Sequence, residues 1–359
     1  MTGLPAVQLA QLEAFLRSRG ICRGPLTARP VGDGHSNLTF RVSDGHRQVV
    51  VRMPPPPPLP PGAHDVLREA TLMQALAGSA VPVPAVLATA VAGQVIEAPF
   101  FVMEFVPGPV ATTETPAVLG SPADRRRIGA ALTDTLVSLH TVDWRAAGLA
   151  GLGRPDGFNA RHLRRMGALV ADADGRPPPD FAAIDAWLGA HVPPESGAAI
   201  VHNDYRLGNV ILAPDPPGRI AAVLDWELAT IGDPLFDLGY FLASYPVPGE
   251  PLTPTGAMGT AVLEPGYPSR DELAQRYADA TGCDLANLSW YTTLALWKLA
   301  VLYEYGRRRA AAGHGDRYYE DPALVRSFLD AAHRSGGLEP LAPLVSGSGR
   351  RRSPGHASR

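Results

Sequence analysis

From Pro5 to Arg19, the residues Val7, Leu12, Phe15 and Leu16 recur on one helical face, and Gly20 ends the run. The period then shortens. Asn37–Val42 and Arg47–Met53 read as two strands joined across Ser43–His46, where Asp44-Gly45 is a hairpin signal. Pro54–Pro61 is all proline apart from Leu59, which excludes both helix and central strand and predicts an extended polyproline spacer. Helical spacing returns over His64–Ala77, with Val66, Ala70, Met73 and Leu76 along one side. Val83–Ala92, Gln94–Glu97 and Phe100–Val106 read as further strands. The first third therefore predicts a helix followed by β-β-α-β-β, a small antiparallel sheet carrying one helix.

After Pro107-Gly108-Pro109 the character changes to long helices. Ser121-Pro122-Ala123-Asp124 is a capping-box start, continued by Ile128, Leu132, Leu136 and Leu139 at helical spacing. Trp144–Gly197 mixes helix and loop. Val210–Leu212 and Ile220–Leu224 predict a short strand pair, and helices are expected over Pro234–Ser244, Asp271–Ala280, Leu288–Tyr305 and Pro322–Ala332. From Ser346 onward Gly, Ser, Arg and Pro dominate, predicting a disordered basic tail.

Composition narrows the function classes. Apolar residues make up 45% and charged residues 19% of the 359, an ordinary globular balance. A net charge of −3 gives no reason to expect nucleic acid as a partner. Cys22 and Cys283 are too few for a disulfide scaffold or a cysteine-rich zinc site and suit a reducing compartment. No signal peptide or membrane-spanning run is read, so the expectation is a soluble cytoplasmic protein with no membrane partner. Among 32 basic residues the only lysine is Lys298, and no G-x-x-x-x-G-K-S/T occurs, which excludes a P-loop nucleotidase.

Five features carry candidate chemistry. Gly32-Asp33-Gly34-His35-Ser36-Asn37 precedes the first strand, and its glycines let backbone amides close around a phosphate. Arg52 ends the second strand and Glu69 lies in the next helix, a pair that would steady nucleotide phosphates or serve as a plain surface ion pair. His202-Asn203-Asp204-Tyr205-Arg206-Leu207-Gly208-Asn209 sets H-x-D-x-x-x-x-N spacing before a strand: Asp204 can accept the proton of an attacking hydroxyl and Asn209 can offer oxygen to magnesium. His202 reads as a structural hydrogen-bonding side chain. Asp225 ends the apolar run Ala221–Leu224, a costly place for a charge unless it is paired or metal-bound. Asp233 reads as the N-cap of a helix with proline at its first position, and Asp237, one turn on, can face back to the loop. His140 reads as closing a helix end, and Arg350–Arg352 as a solvated basic tail.

Taken in this order, the motifs resemble the protein-kinase-like fold. VHNDYRLGNVIL followed by VLDWELATIGDPLFDLGY is similar to the aminoglycoside phosphotransferase and choline kinase superfamily. GHSNLTFRV, VVVRMPP, FFVMEFVPG and SLHTVDW are most similar to the branch associated with acyl-CoA dehydrogenases, so the likeness spans roughly residues 30–245. It implies an α+β, two-lobed fold. Residues 1–106 would form a nucleotide-binding lobe, 107–345 a catalytic and substrate-binding lobe, and 346–359 the tail. ATP would lie in the cleft under Gly32, Gly34, His35, Ser36 and Asn37. Arg52, in place of the usual kinase lysine, and Glu69 would serve its phosphates, with Met103 and the backbone of Glu104 and Val106 at the adenine. Asp204 would be the catalytic base or orienting carboxylate, Asn209 and Asp225 the Mg2+ ligands, and His202 and Asp237 supports. Asn203 replaces the more usual glycine between histidine and aspartate.

The implied activity is transfer of the γ-phosphoryl group of Mg-ATP to a hydroxyl of a small molecule. Arg206, two residues beyond Asp204, places a cation by the acceptor and favours a hydroxy acid or hydroxyacyl-CoA. An aminoglycoside or choline-type kinase, and a nucleotide-binding pseudokinase without transfer activity, stand as alternatives. Oligomeric state is not legible.

Overall fold

Alternation of buried and open positions along residues 38–53 makes two strands the centre of a five-stranded antiparallel sheet. The computed structural model describes residues 4–32, 37–57 and 64–341. Its sheet comprises β1 (Thr27–Val31), β2 (Leu38–Ser43), β3 (Gln48–Met53), β4 (Val86–Ala90) and β5 (Phe100–Glu104), ordered β1-β2-β3-β5-β4. Two of these findings correct the sequence reading. β1 was not expected, because Thr-Ala-Arg-Pro-Val is an exposed edge strand that has no apolar alternation and tolerates Pro30. Gln94–Glu97 is not a strand; Gly93 at positive φ closes a turn there by donating its amide to the Ile96 carbonyl.

The two faces of the sheet have different partners. On one face Phe40, Val42, Val49, Val51, Phe100 and Val102 pack under α1 (Ala6–Ser18) through Leu12 and Leu16. Val7, expected on that buried face, is exposed at the first turn. On the other face Phe101 and Met103 join Val66, Ala70, Met73 and Leu76 of α2 (Val66–Leu76) in a hydrophobic cluster that runs on into the helical lobe. The odd-numbered and even-numbered residues of β5 thus serve different cores, as a period of two requires.

The helical lobe begins with α3 (Pro122–His140), whose Ser121–Asp124 capping box forms as expected. α4 (Phe158–Gly167) and α5 (Ala182–Ala190) follow. β6 (Ala199–Val201) then leads into the candidate catalytic loop, and β7 (Val210–Ala213) pairs with β8 (Arg219–Val223) as an antiparallel hairpin. β9 (Thr230–Gly232) pairs with β6 and enters α6 (Pro234–Ala243). α7 (Pro254–Ala257), α8 (Arg270–Thr281), α9 (Leu288–Ala311) and α10 (Pro322–Ser335) complete the lobe. Gly239 of α6 lies so close to α9 that a Cβ there would come within 2.7 Å of the Tyr291 backbone. That approach sets α9 directly behind the candidate catalytic loop. The polyproline stretch beyond Pro57 and the tail from Ser346 lie outside the described residues. Among the described residues no helix is long and apolar enough to cross a membrane.

Candidate active site

The loop after β6 has few backbone partners of its own, so buried side chains fix its shape. Asp237, fully buried one turn into α6, accepts from the His202 amide at 2.5 Å and the Asn203 amide at 2.8 Å. Burial opposes its charge, but His140 and then His202, including its amide, outweigh burial and hold the carboxyl below its usual range. His140, the last residue of α3, is therefore more than a helix end: it links Asp237 to the Tyr277 hydroxyl. The His202 ring has two partners that settle its tautomer. Nε2 donates to the Leu224 carbonyl at 2.9 Å, and Nδ1 accepts from the Asp204 amide at 3.2 Å. Both ring nitrogens are thus engaged by backbone groups of the loop and its neighbour.

Asn203 sits at φ 68°, in the left-handed region, which explains a position that glycine also suits. Its side chain donates to the Leu228 carbonyl, and its own carbonyl accepts from Lys298 Nζ at 2.8 Å. Asp204 follows with both carboxylate oxygens engaged. The Tyr240 hydroxyl donates to Oδ1 at 2.7 Å, Asn209 Nδ2 donates to Oδ2 at 2.8 Å, and Arg206 Nε approaches Oδ1 at 3.4 Å. Burial, then the Asp204 charge, pushes Tyr240 far above its usual range, so it remains a donor.

Arg52 stands on β3 opposite Phe101 of β5. Its Nε lies 2.9 Å from Glu69 Oε2 on α2, and Nη2 lies 2.5 Å from Asp225 Oδ1. The expected pair is therefore a buried bridge, not a surface ion pair. Burial pushes Glu69 up to about 7, against the pull of Arg52. Burial also opposes the charge of Arg52, but Glu69 and Asp225 more than restore it. Asn37, beside the glycine-rich segment, donates to Glu227 Oε2 at 2.8 Å and accepts from His64 Nδ1 at 3.0 Å. Gly32 is at φ 84°, a backbone shape glycine takes freely; Gly34, His35 and Ser36 lie outside the described residues.

Asn209 and Asp225 are brought together by the Leu224 amide, which donates to the Asn209 carbonyl at 2.8 Å. Because Asn209 Nδ2 is spent on Asp204, Oδ1 is the atom of that amide able to meet a cation. Among the described residues no three His, Cys, Asp or Glu side chains cluster as a metal site. One amide oxygen and one carboxylate nevertheless suit magnesium, which keeps waters and takes phosphate oxygens for its other positions. Met103 is buried at the cleft end of β5. The Glu104 amide is spent on the Ala85 carbonyl, so any adenine contact from Glu104 falls to its carbonyl.

Sequence reasoning missed two members of the site. Lys298, noted in the sequence only as the single lysine, reaches the candidate catalytic loop through the Asn203 carbonyl. Tyr240 carried one signal, a phenol one turn beyond Asp237 on the same helix. Asp233 is more than a cap, since Asn159, Ser196 and Tyr291 also donate to its buried carboxylate.

This fold recurs in known proteins. A protein of Ralstonia eutropha, provisionally classed as an aminoglycoside phosphotransferase, superposes with a TM-score of 0.76 at 29% identity, covering 91% of this chain and 98% of that one. The GDP complex of aminoglycoside 2'-phosphotransferase-IIIa superposes with a TM-score of 0.61 at 16% identity, over 92% and 98% of the two chains, a likeness of fold. Acyl-CoA dehydrogenase family member 11 of Gallus gallus is 34% identical over 86% of this chain, and member 10 of Mus musculus 30% over 81%. The chain spans only 40% and 27% of those two relatives' lengths. The profile of the phosphotransferase enzyme family matches residues 27–273, and the chain belongs to that family, with its two-lobed α+β kinase-like fold.

Proposed function

We propose that this chain transfers the γ-phosphoryl group of Mg-ATP to the hydroxyl of a small anionic acceptor, a hydroxy acid or its coenzyme A thioester. The observation that carries this reading is the Asp204 carboxylate, oriented by Tyr240 on one oxygen and Asn209 on the other. A carboxylate so fixed accepts the acceptor's hydroxyl proton and aims its oxygen, and positioning of this kind is most of what phosphoryl transfer needs from a protein. Arg52 would grip the phosphates, with Glu69 holding it in place. Bound between Asn209 and Asp225, magnesium would neutralise charge on the phosphate oxygens.

Arg206 supports an anionic acceptor. Its guanidinium lies beside Asp204 and over Gly208, where a Cβ would come within 2.5 Å of Nη1. A polycationic aminoglycoside would meet this positive charge unfavourably, whereas a carboxylate or phosphate would pair with it. Likeness to acyl-CoA dehydrogenase family members further supports an acyl-linked acceptor.

ADP release from Mg-ATP, measured over hydroxy acids, hydroxyacyl-CoA esters, aminoglycosides, choline, ethanolamine, homoserine and sugars, tests the reading. Turnover is expected with the hydroxy acids or their thioesters and lost in Asp204→Asn, with AMP-PNP affinity retained. Arg206→Leu should raise the acceptor KM roughly tenfold or more and leave the KM for ATP in place. Turnover confined to aminoglycosides, or equal effects on both KM values, would overturn the acceptor assignment. Magnesium-dependent AMP-PNP binding with no turnover on any acceptor would favour a nucleotide-binding pseudokinase.

A further inference from the structure

Lys298 is the chain's only lysine, and it is buried in the middle of the apolar run Leu294–Val301 of α9. Among the described residues no carboxylate comes within ion-pair distance of it. Its ammonium donates to the Asn203 carbonyl at 2.8 Å and lies 5.2 and 5.0 Å from the ring centres of Phe236 and Tyr240. A buried ammonium without a contacting carboxylate is costly, and an apolar side chain would suit the core of α9 better. Its position points to what it does. The peptide between Asn203 and Asp204 is pinned at both ends: its oxygen by Lys298, its nitrogen by His202 Nδ1. That peptide plane sets the direction in which the Asp204 side chain leaves the backbone. The Tyr240 ring, which lies against the same ammonium, carries the hydroxyl that orients Asp204 Oδ1.

We propose that Lys298 is a positioning residue for phosphoryl transfer: by clamping the Asn203 carbonyl and backing Tyr240, it fixes the bearing of Asp204 without touching the nucleotide. The inference rests on the transfer reading above. The groups that surround the ammonium are Asp204 on the loop, Asp237 and Tyr240 on α6, and Arg165 and His162 on α4. Burial draws Lys298 down to about 8; the two aspartates oppose that shift and Arg165 adds to it. Burial, then Lys298 and Arg165, keep His162 far below its usual range and neutral. The clamp should therefore weaken as pH rises through about 8.

Two measurements on the full chain test this. In Lys298→Met, kcat should fall roughly tenfold to a hundredfold while the KM for ATP stays within about threefold, the split expected of misplaced chemistry. Wild-type kcat should decline above pH 8, and in Lys298→Arg, which keeps its charge, that decline should disappear. An unchanged kcat, or a kcat and ATP KM that move together, overturns the proposal. The second measurement needs no turnover. With lysine labelled at Cε by carbon-13, the chain gives a single side-chain resonance, whose pH midpoint should drop by about half a unit or more in Asp204→Asn. A midpoint indifferent to Asp204→Asn breaks the link between ammonium and carboxylate. Wild-type silence on every acceptor would instead undo the transfer reading, and the resonance would still decide whether Lys298 answers to Asp204.

Discussion

Replacing Arg52 by methionine separates two jobs that this side chain combines. The guanidinium is 11% exposed and bridges Glu69, whose side chain is 2% exposed, to Asp225. Methionine fills much of the space but strands the Glu69 carboxylate, and breaking a buried pair from one side costs about 3–5 kcal/mol. With unfolding entropy near 2.1 cal/mol/K per residue, this chain should lose roughly 4–7 °C in Tm. The loss should depend on pH in a fixed sense. Glu69 holds its proton up to about 7 in the folded chain, against an ordinary 4.5. The folded state thus binds the proton more tightly than the unfolded one, and stability falls as pH rises across that window. Without Arg52 the carboxyl rises further, so the Tm deficit should shrink as pH is lowered from 8 to 5. In Arg52→Met/Glu69→Leu the stranded carboxylate is gone and most of the lost Tm should return. Magnesium-dependent AMP-PNP binding should not return, because the phosphate-gripping fork is still absent. Differential scanning fluorimetry and calorimetric AMP-PNP titration read the two jobs independently. A double variant that regains nucleotide affinity, or a single variant with wild-type affinity, would refute the assignment of Arg52 to the phosphates.

Asp237→Asn replaces an acceptor of two loop amides with a group that accepts at one oxygen only, and should lower Tm by roughly 3–5 °C. Because the Asp237 carboxyl is held below its usual range, its contribution is full above about pH 4 and is lost as pH falls further, so the variant should show a flatter acid limb in a Tm–pH scan. For Lys298 the sign is the same as for Asp237 and opposite to that for Glu69: with a folded value of about 8 against 10.5, the unfolded chain binds the proton more tightly, and stability should rise by up to about 3 kcal/mol between pH 8 and 10.5. Lys298→Met should lack that rise, which urea titrations at pH 7 and 10 would show. Asn203→Ala removes the bond to the Leu228 carbonyl but keeps the left-handed strain, costing about 2 kcal/mol in chemical denaturation, whereas in Asn203→Gly relief of strain should offset most of the loss.

The parts of this site legible in the sequence are those whose geometry is local. Asp204 and Asn209 lie on one short loop, Asp225 ends the next hairpin, and their spacing alone is enough to bring them together. Arg52 and Glu69 were legible because a strand and the helix after it have few ways to pack. What stayed hidden depends on contacts across the fold. Lys298 meets Asn203 over 95 positions, and nothing in Leu-Ala-Leu-Trp-Lys-Leu-Ala-Val shows which carbonyl an ammonium will find. Its isolation in an apolar helix was a usable signal, since a lone buried charge needs a partner. β1 escaped for a different reason: an edge strand exposed at four of its five residues has no apolar period to detect.

The two sides of the cleft are built on different physical terms. The loop bearing Asp204 is held from below by buried neutral or charged groups, Asp237, His202 and Lys298. The sheet meets this loop region through Arg52 to Asp225 and Asn37 to Glu227, polar links whose carboxylate partners stay 28% and 17% exposed. Salt screens exposed charge pairs more than buried ones. Raising ionic strength should therefore loosen the grip of the sheet on the loop bearing Asp225 and Glu227 before it disturbs Asp204. In an active preparation that order would appear as a KM for ATP that climbs with salt while kcat holds. If kcat fell first, the buried supports would not be the rigid half of the site.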